Sequence, residues 1–139
     1  MRHLITLIAC LLVMSLSVVA LAMTPPMSEA EMLETAVLVV EGEITQVACN
    51  GEPQEVGGMT STSYLATLTI ESFVKPEESA LESVTLPFAI ITYPEDSMPP
   101  SCAFTPQYSV GERGLYYLTT GSTTEFYTLV HWSAFVPDE

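Results

Sequence analysis

Positive charge is scarce in this sequence. Against 17 Asp and Glu stand 3 Lys and Arg in 139 residues, a formal net charge of -14 and a pI near 4.1. A surface so charged repels phosphates, which excludes an electrostatic grip on DNA, RNA or an anionic membrane. Histidine is also sparse, with 2 in the whole chain, so imidazole catalysis and His-based metal sites have little material to work with. No Cys-x-x-Cys pair and no Asp-x-Asp-x-Asp-Gly loop occurs, which removes the close-spaced redox site and the EF-hand calcium site. The length leaves room for one domain and a targeting segment but excludes a large two-domain enzyme. Hydrophobic residues, at 48%, are not scarce, so a folded core is expected rather than a disordered acidic tail.

The apolar residues are concentrated first at the start. Residues 1–22 read as a secretory signal: Arg2 and His3 open it, Leu4 to Val19 are almost continuously apolar, and Ala20-Leu21-Ala22 supplies the small-x-small pattern. Cleavage is expected between Ala22 and Met23. A run of about 18 apolar residues is also near the lower limit for a bilayer span. The Ala-x-Ala site and the Thr24-Pro25-Pro26 that follows favour cleavage, which leaves a secreted or periplasmic chain without a membrane anchor. Leu7-Ile8-Ala9-Cys10 resembles a lipobox, but the apolar run continues well past it, and Cys10 reads as part of the signal.

Removal of the signal deepens the imbalance. All 17 acids stay while only Lys75 and Arg113 remain as fixed cations, a net charge of -15, and His131 is the one imidazole left. Two cysteines remain, Cys49 and Cys102. In an oxidising compartment an even pair is most simply a disulfide. Closing its loop of about 54 residues stabilises by about 4 kcal/mol in the chain-entropy model.

Along the mature chain, residues 23–35 form a leader and a short helix. Ser28 and Glu31 stand at capping-box spacing, Glu29 and Glu31 suit the positive end of the helix dipole, and Met32, Leu33 and Ala36 are expected to turn inward. Residues 36–139 form the main domain. Its texture is β: the run 37–40, the alternation of 63–74 that puts Tyr64, Ala66, Leu68, Ile70 and Val74 on one face, and a third alternation through Val84, Leu86, Phe88 and Ile90. Gly42 marks a bulge or bend, and Pro87 marks an edge or a bulge. Residues 93–109 carry Pro94, Pro99, Pro100 and Pro106 and read as a long loop tied down by Cys102. Residues 115–119 and 126–132 then form a closing hairpin. The expected fold is all-β, a small five-stranded Greek-key barrel with a short N-terminal helix.

The order Val-Val-Glu-Gly-Glu-Ile (39–44), Tyr-Leu-Ala-Thr-Leu-Thr-Ile-Glu-Ser-Phe-Val-Lys (64–75), Ser101-Cys102, then Val110-Gly111-Glu112-Arg113 leading into Leu115-Tyr116-Tyr117-Leu118 resembles the netrin-like family. These are OB-fold barrels related to tissue inhibitors of metalloproteinases, with many exported bacterial versions. The resemblance covers about residues 36–120 and implies an OB fold in a secreted binding or regulatory module. The family's inhibitors chelate a protease's zinc through an N-terminal Cys; here the expected mature start is Met23 and no Cys precedes Cys49, so that mechanism is not carried over.

The residues themselves offer little catalysis. His131 lies between Val130 and Trp132 in an expected strand, where a structural or exposed His is the simpler reading, and Glu95-Asp96 and Asp138-Glu139 read as solvated charges. The aromatics Tyr116, Tyr117, Phe126, Tyr127 and Trp132 are expected to split between core and surface. No catalytic, cofactor-binding or metal residue is assigned. The expectation is a module that binds a protein partner through the leader and the loop around Cys102, with Tyr93, Glu95, Asp96, Phe104 and Tyr108 as the contact residues. The alternative is a small exported hydrolase or metal-dependent enzyme on an all-β scaffold.

Overall fold

The computed structural model describes residues 25–76, 79–97, 106–121, 123 and 125–138. The signal, its Ala22 and Met23 cleavage site, and Cys102 and Phe104 lie outside the described residues. The fold is mostly β. Among the described residues one helix, α1 (Glu29–Thr35), precedes seven strands: β1 (Leu38–Cys49), β2 (Gln54–Val56), β3 (Met59–Lys75), β4 (Ser83–Thr92), β5 (Arg113–Thr120), β6 (Tyr127–Leu129) and β7 (Phe135–Pro137).

Helix α1 begins as the Ser28 and Glu31 spacing predicts. Ser28 Oγ accepts from the Glu31 amide at 3.4 Å, and the Glu31 carboxylate accepts from the Ser28 amide at 2.9 Å, so two orphan donors are satisfied reciprocally. Met32 and Ala36 turn inward as expected. Leu33 does not, and is 41% exposed. One residue beyond Met32 is roughly 100° further round the helix, which carries Leu33 off the buried stripe.

All the ladders between named strands are antiparallel. Strand β3 is the spine: β1 pairs along one edge, followed on that edge by β2, and β4 pairs along the other. Strand β5 pairs β1 on one side and, on its far side, β6 and β7 in tandem. The sequence predicts five strands; β2 and β7 are the additions, each three residues long and laid on a free stretch of a longer strand's edge.

The order β4-β3-β1-β5-β6 curls until its ends touch at a single parallel bridge, Thr85 to Phe126. The ladders do not close into a barrel. Two residues beyond Thr85 stands Pro87, which has no N–H to donate to a following parallel rung. The expected edge position of Pro87 is what β4 shows.

Three extra residues bend the central pair. The β1–β3 register skips Glu71 and Val74 on β3 and Thr45 on β1. Each extra residue reverses which face its strand presents thereafter. Phe73 therefore packs against the core, whereas Val74, expected inside, is 47% exposed. Gly42 sits where the strands crowd: a Cβ there would collide with the Thr69 carbonyl and lie 3.0 Å from Leu68 Cδ1.

The core lies on the concave side of the sheet, with Leu38, Val40 and Ile44 of β1, Ala66 and Leu68 of β3, Leu86 and Phe88 of β4, and Tyr116 and Leu118 of β5. Each fully buried aliphatic side chain contributes roughly 1.5–3 kcal/mol. A smaller layer lies on the opposite side of β1 and β5, where Val39, Tyr117 and Ala134 pack under Met32 and Ala36. Leu38–Val40 of β1 and Tyr116–Leu118 of β5 are thus buried on both faces. This accounts for the apolar run 38–40, which alternation alone does not explain, while Val37 before it stays exposed.

Candidate functional site

A groove open to solvent lies beside α1. Ala30, Leu33 and Glu34 of the helix face Val74, Lys75 and Pro76 at the end of β3 across an open groove of about 570 Å³. Two features build it: the turn of the helix that carries Leu33 off the buried stripe, and the bulge that turns Val74 outward. Val37, between helix and β1, is a further exposed apolar residue at 49%.

Lys75 holds the two walls together. Its Nζ donates to Leu33 O at 2.8 Å and to Ala36 O at 2.6 Å, capping carbonyls that the helix end leaves open. That cation is therefore engaged with the backbone, and the rim of the groove carries the acidic Glu34.

Arg113, the other cation of the expected mature chain, lies on the carboxylate side of the sheet. It forms ion pairs with Glu71 and with Glu43, the latter at 3.8 Å. Its guanidinium is pushed further up from its ordinary value, first by the bond to Glu71. The sequence shows that Arg113 has carboxylates to choose from, but only the β3 bulge shows which one. Glu41 on the same surface accepts from Ser72 Oγ at 2.6 Å.

Just before β5, burial pushes the Glu112 carboxyl up, opposed in part by the neighbouring Ser109 backbone and Tyr116 hydroxyl. Tyr108 and Tyr116 are pushed well above the ordinary phenol range, chiefly by burial.

Among the expected contact residues, Tyr93 is half-buried. Glu95 and Asp96 are exposed in a turn closed by the Ser97 amide and hydroxyl on the Pro94 carbonyl. Tyr108 is only 6% exposed and packs edge-on against Phe88, with ring centroids 5.4 Å apart. Its ring therefore serves the core and is not offered to a partner. Cys49 is exposed at the end of β1 with its thiol donating to Gly51 O at 3.3 Å.

The aromatics divide as expected. Tyr116 and Tyr117 are buried, Phe126 and Tyr127 are half-buried, and Trp132 is 44% exposed beside the His131 ring. His131 Nδ1 accepts from the Ser133 amide at 3.3 Å and lies 2.9 Å from Ser133 Oγ. Nε2 is buried with no hydrogen-bond partner among the described residues. The His–Ser contact spans two residues of one turn, and its geometry is that of a turn closure.

Among the described residues no group of three or more His, Cys, Asp or Glu could hold a metal ion, and no helix is long and apolar enough to cross a membrane. Comparisons with known protein families, with curated proteins and with solved structures find no match.

The groove was not legible as a site. Its walls are some 40 residues apart in sequence, and the pairing offset at Val74 that exposes one of them is a property of two strands together. One signal was available: the adjacent pair Met32-Leu33 on a short helix, only one of which can face a narrow apolar stripe.

Proposed function

We propose that the chain is an exported acidic binding module of the netrin-like OB-barrel type, engaging a protein partner at the groove beside α1. The strand order β4-β3-β1-β5-β6 and the parallel contact of Thr85 with Phe126 support the Greek-key reading, since they bring β4 and the start of β6, the two ends of that order, together at a partly open seam. The absence of a Cys before Cys49 in the expected mature chain argues against inhibition by zinc chelation.

The observation that carries the partner reading is the pair Leu33 and Val74, which line one groove and are both more than two-fifths exposed, on an otherwise strongly acidic chain. Apolar surface rimmed by charge marks contact sites. With both cations engaged internally, the fitting partner presents an apolar side chain flanked by Lys or Arg. The Cys49–Cys102 disulfide remains part of the proposal as a brace for the loop that follows β4.

Leu33→Asp combined with Val74→Asp tests the reading, because both side chains are more than two-fifths exposed and the change is expected to leave the fold intact. Cross-linked capture from the exported fraction is expected to retain a basic protein on the wild-type chain, less at high salt, and to lose it with the variant. Retention of the same proteins by a folded variant contradicts the proposal.

A further inference from the structure

The chain contains a single asparagine, Asn50, and glycine follows it. The pair lies where β1 leaves the sheet. The Asn50 amide still donates to Ser63 O at 2.8 Å, the last rung of the β1–β3 ladder, whereas the Gly51 N–H has no acceptor among the described residues. Both residues are exposed. Gly51 adopts φ +93°, and apart from the glycine and its two chain neighbours no heavy atom lies within 4 Å of where a Cβ would be. The asparagine is therefore held on its N-terminal side while the peptide nitrogen on its C-terminal side is open and unhindered. Glycine is the residue that leaves this nitrogen least shielded.

We propose that Asn50 is a site of spontaneous modification, in which the chain attacks its own side chain. The Gly51 backbone nitrogen, having lost its proton to solvent base, bonds to Asn50 Cγ. The Cγ–Nδ2 bond breaks, and the nitrogen leaves as ammonia after taking up protons from water. The product is a five-membered cyclic imide. Water then opens the ring at one carbonyl to give aspartate, or at the other to give isoaspartate, in which the main chain runs through the former side-chain carbon. Atoms balance as one amide plus water yielding one carboxylate and ammonium; no oxidant or reductant takes part.

Either product adds a negative charge to a chain already at -14. The isoaspartyl form also lengthens the backbone by one carbon between the Ser63 rung and Gly51, next to Cys49. The Cys49 Sγ to Gly51 O contact, 3.3 Å in the unmodified chain, is the first interaction this displaces.

The test is mass mapping of the full chain incubated folded at mildly alkaline pH, beside a sample unfolded in urea. Cleavage after Glu43 and Glu52 isolates the segment 44–52, which holds Asn50. The expected result is a mass gain equal to the exchange of NH₂ for OH, in two chromatographic forms, at comparable rates in folded and unfolded chains and faster as pH rises. Asn50→Gln is expected to abolish it, since its longer side chain forms the imide far more slowly, and Gly51→Ala to slow it. If Gly51→Ala disturbs the fold at this φ, Asn50→Gln decides alone. No gain in the folded chain, a gain only after unfolding, or a gain that persists in Asn50→Gln would overturn the proposal.

Discussion

Where Leu38–Val40 of β1 pairs with Tyr116–Leu118 of β5, both faces are buried, yet by different means. On the concave face a continuous core of residues from four strands surrounds Leu68 and Tyr116, assembled from positions far apart in sequence. On the convex face a seven-residue helix covers a handful of side chains and is fastened at each end by single groups: Ser28 with Glu31 at its start, Lys75 at its finish. A helix that short has no stability of its own in water. The core thus defines the fold, while the helical layer is a fastened cover whose outer side carries the apolar groove.

Breaking the concave side should have the largest effect. Leu68→Ala removes a fully buried side chain at the centre of the core and is expected to cost about 2–5 kcal/mol in urea unfolding. A loss below about 1 kcal/mol would mean that the concave cluster is not the principal core.

On the convex side, Lys75→Met keeps the aliphatic stem but removes two hydrogen bonds to the end of α1. The expected loss is about 1–2 kcal/mol, read as reduced helical signal with the sheet intact. Cooperative loss of the whole β signal at the same step would instead show that the helix is integral to the fold.

This division was only partly legible in the sequence. The all-β texture, the helix start at Ser28 and the edge position of Pro87 depend on neighbours in the chain and could be read from it. The fate of Val74 and Phe73 could not, because strand alternation assumes that no residue is skipped, and the skips at Glu71 and Val74 exist only in the pairing with β1. Lys75 and Arg113 were visible as the two cations of the expected mature chain. That one would meet carbonyls and the other carboxylates required the fold.

Glu112 sharpens the comparison from the core side. Burial raises its carboxyl above the unfolded value, so the folded chain holds that proton more tightly. The stability it contributes is complete below the unfolded pKa and is lost as pH rises through the folded one. Glu112→Gln is therefore expected to raise neutral-pH stability and flatten that part of the profile; a fall in neutral-pH stability would contradict it.

The smallest expected effect is that of salt. With 17 acids against so few cations, screening relieves repulsion over about 8–10 Å at moderate ionic strength. The melting temperature is expected to rise from low to moderate NaCl, and a flat or falling trend would count against net repulsion.

Native-state hydrogen exchange resolves the two faces directly, because each amide reports the opening that exposes it. If the helix is a fastened cover, the amides of Met32 and Ala36, both bonded within α1, exchange through a local opening of lower free energy than the amides of Ile44, Leu68 and Leu118. Lys75→Met lowers the first set and leaves the second nearly unchanged. Equal protection of both sets, falling together in the variant, would contradict the account.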